Sequence, residues 1–295
     1  MIEQLKQYKI IKPLGAGGNA SVYHAWDPVN NRDVALKILH AEDIKNELAN
    51  FRSEENVMEE IDHPGIVKAY GFDHEEDIWF YVMEYVDGYS FSDLLQRKHH
   101  IKEADCLLIA ESIAAALDYA WNDHGVVHCD IKPENIMINT EGVVKLTDLG
   151  IFHRFEFAPD GKKELPEHIT GTPGYISPEQ IYGDIELDCR SDIYSLGASL
   201  YHLATGRLLF PNRSTDDMMK SHCDATRQAL DPRAYQQELS EGFAQLLEAM
   251  LVKERDYRLE SWRAVFEMCQ IVENGGKFKP REHADFAPSS ISLLK

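Results

Sequence analysis

The stretch HGVVHCDIKPENIMINTEGVVKLTDLG, residues 124–150, decides both the fold and the chemistry expected of this chain. Its apolar runs at 126–127, 136–138 and 143–146 are short and bounded by Gly and Asn, which is typical of short strands joined by tight connections. Polar and charged residues lie between and after these runs. We therefore expect the backbone to bring four side chains together: Asp130, Lys132, Asn135 and Asp148.

These side chains are of the types that phosphoryl transfer needs. One carboxylate orients the attacking hydroxyl, a carboxylate and an amide hold Mg²⁺, and a cation offsets charge on the moving phosphoryl group. Any one of them alone would more often belong to a polar loop, an Asx turn or a helix cap. The complete order H-x-D-x-K-P-x-N followed by T-D-L-G makes that alternative improbable.

Length and composition set broad limits. A chain of 295 residues with 44% hydrophobic and 27% charged residues is typical of a globular protein with a real core. The net charge of −20 argues against nucleic-acid binding and gives no support to docking on anionic membranes. No apolar run is long enough to span a membrane, and the start lacks a signal-peptide core, so we expect a cytoplasmic chain. The five scattered cysteines predict reduced thiols.

The chain divides into a β-rich part and a helical part. The pattern predicts strands within 8–40, at 66–72 and at 78–86, with one helix over 41–61. Further helices are predicted after residue 87, over 102–122, 190–205, 215–222, 240–252 and 260–272. We therefore expect an α+β chain with a β-rich unit at 1–86, a mainly helical unit at 87–272, and a flexible tail at 273–295.

Two more motifs lie in the β-rich part. LGAGGNASV at 14–22 has glycines that let backbone N–H groups approach phosphate oxygens, and the strand that follows it excludes a Rossmann dinucleotide site. Lys37 ends the strand motif VALK and needs a partner if it faces inward. Glu54 on the predicted helix is the candidate, whereas its neighbour Glu55 would point about 100° away.

Taken in order over residues 8–272, these motifs resemble the eukaryotic-type (Hanks-type) serine/threonine protein kinase family. The resemblance implies a bilobal fold, with a small β-rich N-lobe carrying one helix and a larger, mainly helical C-lobe. It implies ATP and Mg²⁺ as cofactors. Asp130 would position the acceptor hydroxyl, and Asn135 and Asp148 would bind the metal. Lys132, together with Thr172 in GTPGYISPE, would favour Ser/Thr acceptors.

The same resemblance assigns nucleotide and bracing residues. Met83 would be the gatekeeper, followed by a hinge whose backbone pairs with the adenine edge. Lys37 would reach the α/β phosphates and pair with Glu54. The full nucleotide-binding set is Leu14, Gly15, Ala16, Gly17, Gly18, Val22, Ala35, Lys37, Met83, Glu84, Val86 and Met137. Elsewhere, Asp192 would steady the catalytic loop, and Glu179 would pair with Arg258 as a structural brace.

The chain departs from the family pattern at several positions. Cys129 stands where most members carry Arg, which makes this a non-RD variant, and Leu149 replaces the Phe of D-F-G. Ala20 and Ser177 replace a Gly and an Ala of two other motifs. In members with Arg at the position of Cys129, the guanidinium repels neighbouring cations until a phosphate on the activation segment binds there. Cys129 can neither repel cations nor bind a phosphate, so we expect activity without phosphorylation of that segment.

Three functions are compatible with these motifs. An active protein kinase that phosphorylates Ser or Thr of protein substrates is favoured. The acidic net charge of the chain suggests that these substrates are basic. A nucleotide-binding pseudokinase or scaffold is opposed by the presence of every reacting and metal-binding group. A small-molecule phosphotransferase of the aminoglycoside-kinase type is opposed by the GTPGYISPE segment. No sequence feature assigns an oligomeric state.

Overall fold

The computed structural model describes residues 3–17, 20–40, 59–148, 171–183 and 187–278, and the backbone of 153–154. The amino-terminal part is a six-stranded antiparallel sheet in the order β1-β2-β3-β4-β6-β5. Its strands are β1 (Gln4–Leu5), β2 (Tyr8–Ala16), β3 (Ala20–Asp27), β4 (Arg32–Leu39), β5 (Ala69–Glu75) and β6 (Ile78–Glu84).

The alternation of side chains along these strands gives the sheet two apolar faces. One face packs a cluster of buried residues: Leu5, Tyr8, Ala25, Val34, Leu36, Ile38, Phe80 and Val82. On the other face Ala20, Leu39 and Tyr81 pack with partly buried Phe72, Trp79 and Met83. The strands predicted within 8–40 are present as β2, β3 and β4, which pair antiparallel in chain order.

The boundaries near residue 66 differ from prediction. β5 begins at Ala69 and continues to Glu75, because Ile66 forms a parallel bridge with Leu146 and Val67 N–H donates to Leu146 O at 2.9 Å. Residues 66–67 therefore join the sheet to the second part of the chain instead of extending the strand. The predicted helix over 41–61 lies outside the described residues except at 59–60, which are helical.

The carboxyl-terminal part is mainly helical. Its helices are α1 (Phe91–Lys98), α2 (Glu103–His124), α3 (Pro178–Tyr182), α4 (Cys189–Thr205), α5 (Thr215–Cys223), α6 (Glu241–Met250) and α7 (Trp262–Glu273), with 3₁₀ turns at Pro232–Ala234 and Arg255–Tyr257. Nearly every residue of α4 is buried, so this helix is the centre of the core. α1 was not predicted; a capping box between Ser90 and Asp93 begins it.

Short strands position the central loop between these helices. They are β7 (Gly88–Ser90), β8 (Val126–Val127), β9 (Ile136–Asn139), β10 (Val144–Leu146) and β11 (His153–Arg154). β9 pairs with β7 and β10, and β8 pairs with β11. Gly88 is required by packing, because a Cβ there would lie 1.9 Å from Ile138 O. The β9–β10 hairpin places Asn135 and Asp148 at one end, where Thr147 N–H donates to Asn135 O at 2.8 Å.

Residues 274–278, predicted to start a flexible tail, are held against α6. Lys277 Nζ lies 2.9 Å from Glu241 Oε2, and Phe278 N–H donates to Gln245 Oε1 at 2.8 Å. Residues 279–295 lie outside the described residues. Within the described ranges no helix is long and apolar enough to cross a membrane. The cysteines are free thiols, as predicted, and four of them are buried.

Candidate active site

A side chain of α4 holds the backbone of the catalytic loop, which lies between β8 and β9. The buried Asp192 carboxylate accepts His128 N–H at 2.6 Å and Cys129 N–H at 2.8 Å. Burial raises the pKa of Asp192 to about 6, against the opposing influence of His128 and the two N–H donors. The geometry expected of Asp192 is therefore present: one side chain fixes the backbone immediately before Asp130.

His128 adds a second tie that the motif alone did not explain. Its Nδ1 accepts Asp130 N–H at 3.2 Å, and its Nε2 lies 3.1 Å from Thr147 O. The imidazole is fully buried. It thus connects the backbone of Asp130 with the residue that precedes Asp148.

Asp130 has partners on both carboxylate oxygens. Thr172 Oγ1 donates to Oδ1 at 2.6 Å and Lys132 Nζ to Oδ2 at 2.6 Å. Lys132 Nζ also donates to Thr172 Oγ1 at 2.9 Å, so the three groups form a closed triangle. Asn135 Nδ2 donates to Asp130 O at 2.9 Å. These four predicted residues lie together, and Asp130 is 5% exposed.

Asp148 forms an ion pair with Lys37 of β4. The two side chains are 30% and 18% exposed, so the pair lies in a cleft open to solvent between the sheet and the helical part. Burial by itself would raise the pKa of Asp148, but the Lys37 ammonium, with His128 and Lys132, holds it below the ordinary value. Asp148 is therefore ionised at neutral pH. Glu54, the predicted partner of Lys37, lies outside the described residues.

Both Asp148 and Cys129 have left-handed backbone conformations, with φ of +66° and +67°. An Asp tolerates this region, whereas it is uncommon for Cys. The Cys129 carbonyl accepts Gln180 Nε2–H at 2.8 Å, and the thiol is 1% exposed. Strained backbone held by its surroundings clusters at functional sites.

Four of the predicted nucleotide side chains, Val22, Ala35, Lys37 and Met83, share one face of the six-stranded sheet. Val22 is opposite Lys37 in the β3–β4 register, and Ala35 is opposite Met83 in the β4–β6 register. Paired residues in antiparallel strands project to the same side. Glu84 ends β6, Val86 follows it, and Met137 lies on β9 opposite Lys145.

The glycine-rich turn connects β2 and β3. Leu14, Gly15 and Ala16 are exposed on β2, and Gly17 N–H donates to Ala20 O at 2.9 Å. A Cβ at Gly15 would meet no protein atom within 4 Å, and one at Gly17 would meet only Ala20 O at 3.8 Å. Neither glycine is therefore needed for packing within the described residues. Gly18 lies outside them.

The segment after Gly171 joins the catalytic loop to α3. Thr172 O accepts Tyr175 N–H at 2.9 Å and Ile176 N–H at 3.0 Å, which fixes Thr172 beside Asp130. Ser177 caps α3 in a capping box with Gln180, whose side chain reaches the Cys129 carbonyl. The contact of Gln180 was missed, although the S-P-E-Q pattern, with Gln three residues after Ser, could have predicted the capping box.

The Glu179–Arg258 pair is present as expected. Arg258 Nη1 and Nη2 donate to Glu179 Oε1 at 2.6 Å and Oε2 at 3.1 Å. The remaining donors of the guanidinium reach backbone carbonyls of Arg190, Val252 and Lys253. Both side chains are at most 3% exposed. This pair lies away from the cleft and is fully satisfied.

Comparisons with known proteins agree with this geometry. The family model of the protein kinase domain matches residues 8–271. The serine/threonine-protein kinase PrkC of Bacillus subtilis is 36% identical over 222 residues, covering 74% of this chain and 33% of PrkC. A probable serine/threonine-protein kinase of Streptomyces coelicolor is 35% identical over 272 residues, covering 89% of this chain and 40% of that protein. One from Clostridium acetobutylicum is 30% identical over 270 residues, covering 91% and 40%.

The chain thus spans less than half the length of these curated relatives. Within that length it has the β-sheet lobe, the helical lobe and the ordered motifs of the family. The chain belongs to the protein kinase family, in the group of eukaryotic-type serine/threonine kinases.

Proposed function

We propose that this chain transfers the γ-phosphoryl group of Mg·ATP to Ser and Thr hydroxyls of protein substrates. The observation that carries the proposal is the closed triangle of Asp130, Lys132 and Thr172. It holds the Asp130 carboxylate in one orientation, and its Lys132 lies near enough to Asp148 to help lower the pKa of that second carboxyl. The names of the serine/threonine kinase relatives support the same acceptor class.

Asp130 would accept the proton of the attacking hydroxyl. Thr172 and Lys132 fix the carboxylate so that an acceptor oxygen can meet it at hydrogen-bond distance. The Lys132 ammonium would also offset charge on the phosphoryl group as it moves. Positioning and charge stabilisation are the main contributions that a protein can make to this reaction.

Asp148 and Asn135 fit Mg²⁺ chemically. Asp148 supplies an ionised carboxylate, and the Asn135 amide nitrogen is engaged with Asp130, so its oxygen would face the ion. No cluster of three or more His, Cys, Asp or Glu arranged for a metal occurs in the described ranges. Mg²⁺ uses one or two protein ligands completed by phosphate oxygens and water, and Asp148 and Asn135 would be those ligands. When bound, the ion would neutralise charge on the phosphates.

The nucleotide would lie beneath the glycine-rich turn. Among the described residues, a Cβ at Gly15 would meet nothing within 4 Å and one at Gly17 only Ala20 O at 3.8 Å, which suits close approach of phosphate oxygens to backbone N–H groups. Lys37 would exchange part of its contact with Asp148 for the α/β phosphates. Glu54 would then pair with Lys37. The backbone of Glu84 and Val86 would bind the adenine edge, with Val22, Ala35 and Met137 around the ring.

The substrate would dock on the segment at 171–179, which is tied to Asp130 through Thr172 and to the core through Glu179. The net charge of −20 favours a basic protein substrate. The buried Cys129, in place of Arg, makes this a non-RD enzyme that needs no phosphate on its activation segment. Thr170, the residue that such a phosphate would modify, lies outside the described residues.

The experiment is transfer of label from γ-labelled ATP, with Mg²⁺, to a basic protein mixture and in parallel to a panel of small metabolites. We expect label in Ser and Thr of the proteins, and loss of transfer by at least about 100-fold in Asp130→Asn with nucleotide binding retained. Label in the metabolites alone would indicate a small-molecule phosphotransferase. Nucleotide binding without any transfer would indicate a pseudokinase.

A further inference from the structure

Besides Lys37–Asp148, a further ion pair joins the amino-terminal sheet to the helical part of the chain. Lys145 Nζ lies 2.8 Å from Glu84 Oε1 and 3.0 Å from Oε2. Glu84 ends β6 of the sheet, and Lys145 is on β10 of the helical part. The side chains are 26% and 12% exposed, so water only partly screens the pair.

Glu84 is fixed in place by its backbone as well as its side chain. Its N–H donates to Lys68 O at 2.8 Å, and its Oε2 accepts Lys68 N–H at 3.2 Å. Its carboxylate therefore cannot follow Lys145 freely if the two parts move. Residue 84 is also the position whose backbone would face adenine in the proposed function.

Lys145 lies three residues before Asp148 on the same strand and loop. Leu146 between them donates its N–H to Gly65 O at 2.8 Å and accepts Val67 N–H at 2.9 Å. Thr147 N–H donates to Asn135 O. These bonds tie the backbone between Lys145 and Asp148 to residues 65–67 and to Asn135, so the positions of the two side chains are coupled through one short, held segment.

The Lys145 ammonium is compensated by the Glu84 carboxylate, and a neighbouring histidine does not compete for that carboxylate. His63 faces the same ammonium, and its pKa is held below the ordinary value by burial and by Lys145. His63 is therefore neutral at pH 7 and does not compete for the carboxylate. Losing one partner would leave a largely buried charge without compensation.

We infer that Glu84 and Lys145 are positioning residues: their ion pair fixes the distance between the purine-binding hinge and Asp148, and so sets the affinity for Mg·ATP. This inference rests on the proposed function for the identity of the nucleotide. The effect would be selective for the nucleotide, because the protein-docking segment is held separately, through Thr172 and Glu179; no hydrogen bond or ion pair of the described residues joins it to Glu84 or Lys145.

The test is a double-mutant cycle in the full chain with Glu84→Gln, Lys145→Met and the double variant. Glu84→Gln keeps an oxygen for Lys68 N–H, and Lys145→Met keeps most of the apolar side chain. The matched controls are Glu241→Gln and Lys277→Met, which break an exposed pair of similar length, 2.9 Å, far from the cleft. The readouts are the Mg·ADP dissociation constant by calorimetry, the KM for ATP, the KM for an acceptor protein and the melting temperature.

We expect each single variant to raise the Mg·ADP dissociation constant and the KM for ATP by about threefold to tenfold. The double variant should be no worse than the worse single one, because both changes remove the same interaction. The acceptor KM and both controls should match wild type. Wild-type nucleotide affinity in the single variants, or fully additive effects, would overturn the inference.

A merely structural role is separated by the pattern of the readouts. Parallel losses in melting temperature, acceptor KM and nucleotide affinity would also overturn the inference. The Mg·ADP measurement requires no turnover, so a chain that binds nucleotide without transferring phosphate still gives a result. In that case the double-mutant cycle still shows whether the Glu84–Lys145 pair sets the affinity for nucleotide. The absence of transfer would then count against the proposed function alone.

Discussion

Two ion pairs of this molecule differ in their exposure to solvent and in their hydrogen bonds, and the difference predicts different roles for them. Lys37–Asp148 is partly exposed in the cleft, whereas Glu179–Arg258 is at most 3% exposed and uses the donors of its guanidinium on a carboxylate and three backbone carbonyls. A group whose partners are already complete is a brace. A pair that remains open to solvent can exchange partners with a ligand.

The two pairs also differ in what surrounds them. Arg258 lies over the Tyr194 ring, 4.9 Å from its centroid, and Tyr194 OH is 2.8 Å from His222 Nδ1. Asp148 instead follows a strand that ends at the catalytic loop. Removing the cation from each pair should therefore have opposite consequences: loss of stability in one, loss of activity in the other.

The largest effect is expected for the brace. Arg258→Met should lower the free energy of unfolding by about 3–5 kcal/mol, because Glu179 would remain as a buried charge without its partner. Denaturant unfolding followed by circular dichroism measures this change. The control is Arg263→Met, which breaks the exposed pair with Glu267 and should leave the free energy of unfolding close to that of wild type. Similar losses in both variants would show that the Glu179–Arg258 pair is not a brace.

The next effect is expected in the cleft. Lys37→Met should lower phosphate transfer by at least about 100-fold, because a charge aimed at the phosphates is lost. Its free energy of unfolding should fall by less than that of Arg258→Met, because Asp148 is 30% exposed and partly solvated whereas Glu179 is 3% exposed. Single-turnover rates and denaturant unfolding on the same sample provide both values. A variant that turns over normally, or one that unfolds, would contradict the assignment of this pair to catalysis.

A pH-dependent effect is expected next to the brace. Burial, assisted by the Lys253 cation, lowers the pKa of His222 to about 4 against the opposing carbonyls of Pro173 and Gly174. The unfolded chain then binds a proton that the folded chain refuses, so stability is complete above about pH 6.5 and falls toward pH 4. Between pH 7 and pH 5, wild type should lose about 2 kcal/mol more than His222→Gln. Urea unfolding at the two pH values measures this difference, and equal losses would show that His222 is not buried as described.

The smallest effect is expected at Thr172, in the segment that connects the catalytic loop with the Glu179–Arg258 pair. Thr172→Ala removes the hydroxyl that contacts Asp130 and Lys132, and should lower kcat about tenfold, which corresponds to about 1.4 kcal/mol. Thr172→Ser keeps the hydroxyl and should stay within about twofold of wild type. Steady-state kinetics with an acceptor protein compares the two. If both variants lose equally, the methyl group and its packing, not the hydroxyl, matter.

How far the sequence predicts this molecule depends on whether a feature is local. The strands within 8–40 and the helix Glu103–His124 were predicted because apolar periodicity is written into the segment itself. The cluster of Asp130, Lys132 and Asn135 was predictable because one short loop carries all three. Thr172 required the family resemblance, since nothing local brings residue 172 to residue 130.

Features that depend on distant partners were missed wherever the family resemblance did not supply the partner. β5 begins late because Gly65 O and Val67 N–H hydrogen-bond to Leu146, about 80 residues further along the chain, on either side of the Ile66–Leu146 bridge. The contacts of Gln180 with Cys129 and of Glu84 with Lys145 have the same cause. No periodicity within one segment indicates which residue of another segment will complete its hydrogen bonds, and these long-range contacts are what align the cleft.

The central claim is that Asp130 and its neighbours transfer phosphate from Mg·ATP to Ser and Thr hydroxyls. A phosphosite map by mass spectrometry, after incubation of wild type and Asp130→Asn with Mg·ATP and a basic protein mixture, tests it most directly. We predict phosphate on Ser and Thr of the acceptor proteins with wild type, and almost none with Asp130→Asn. An unmodified mixture after incubation with wild type, equal phosphorylation by the two proteins, or phosphate confined to Tyr would contradict the claim.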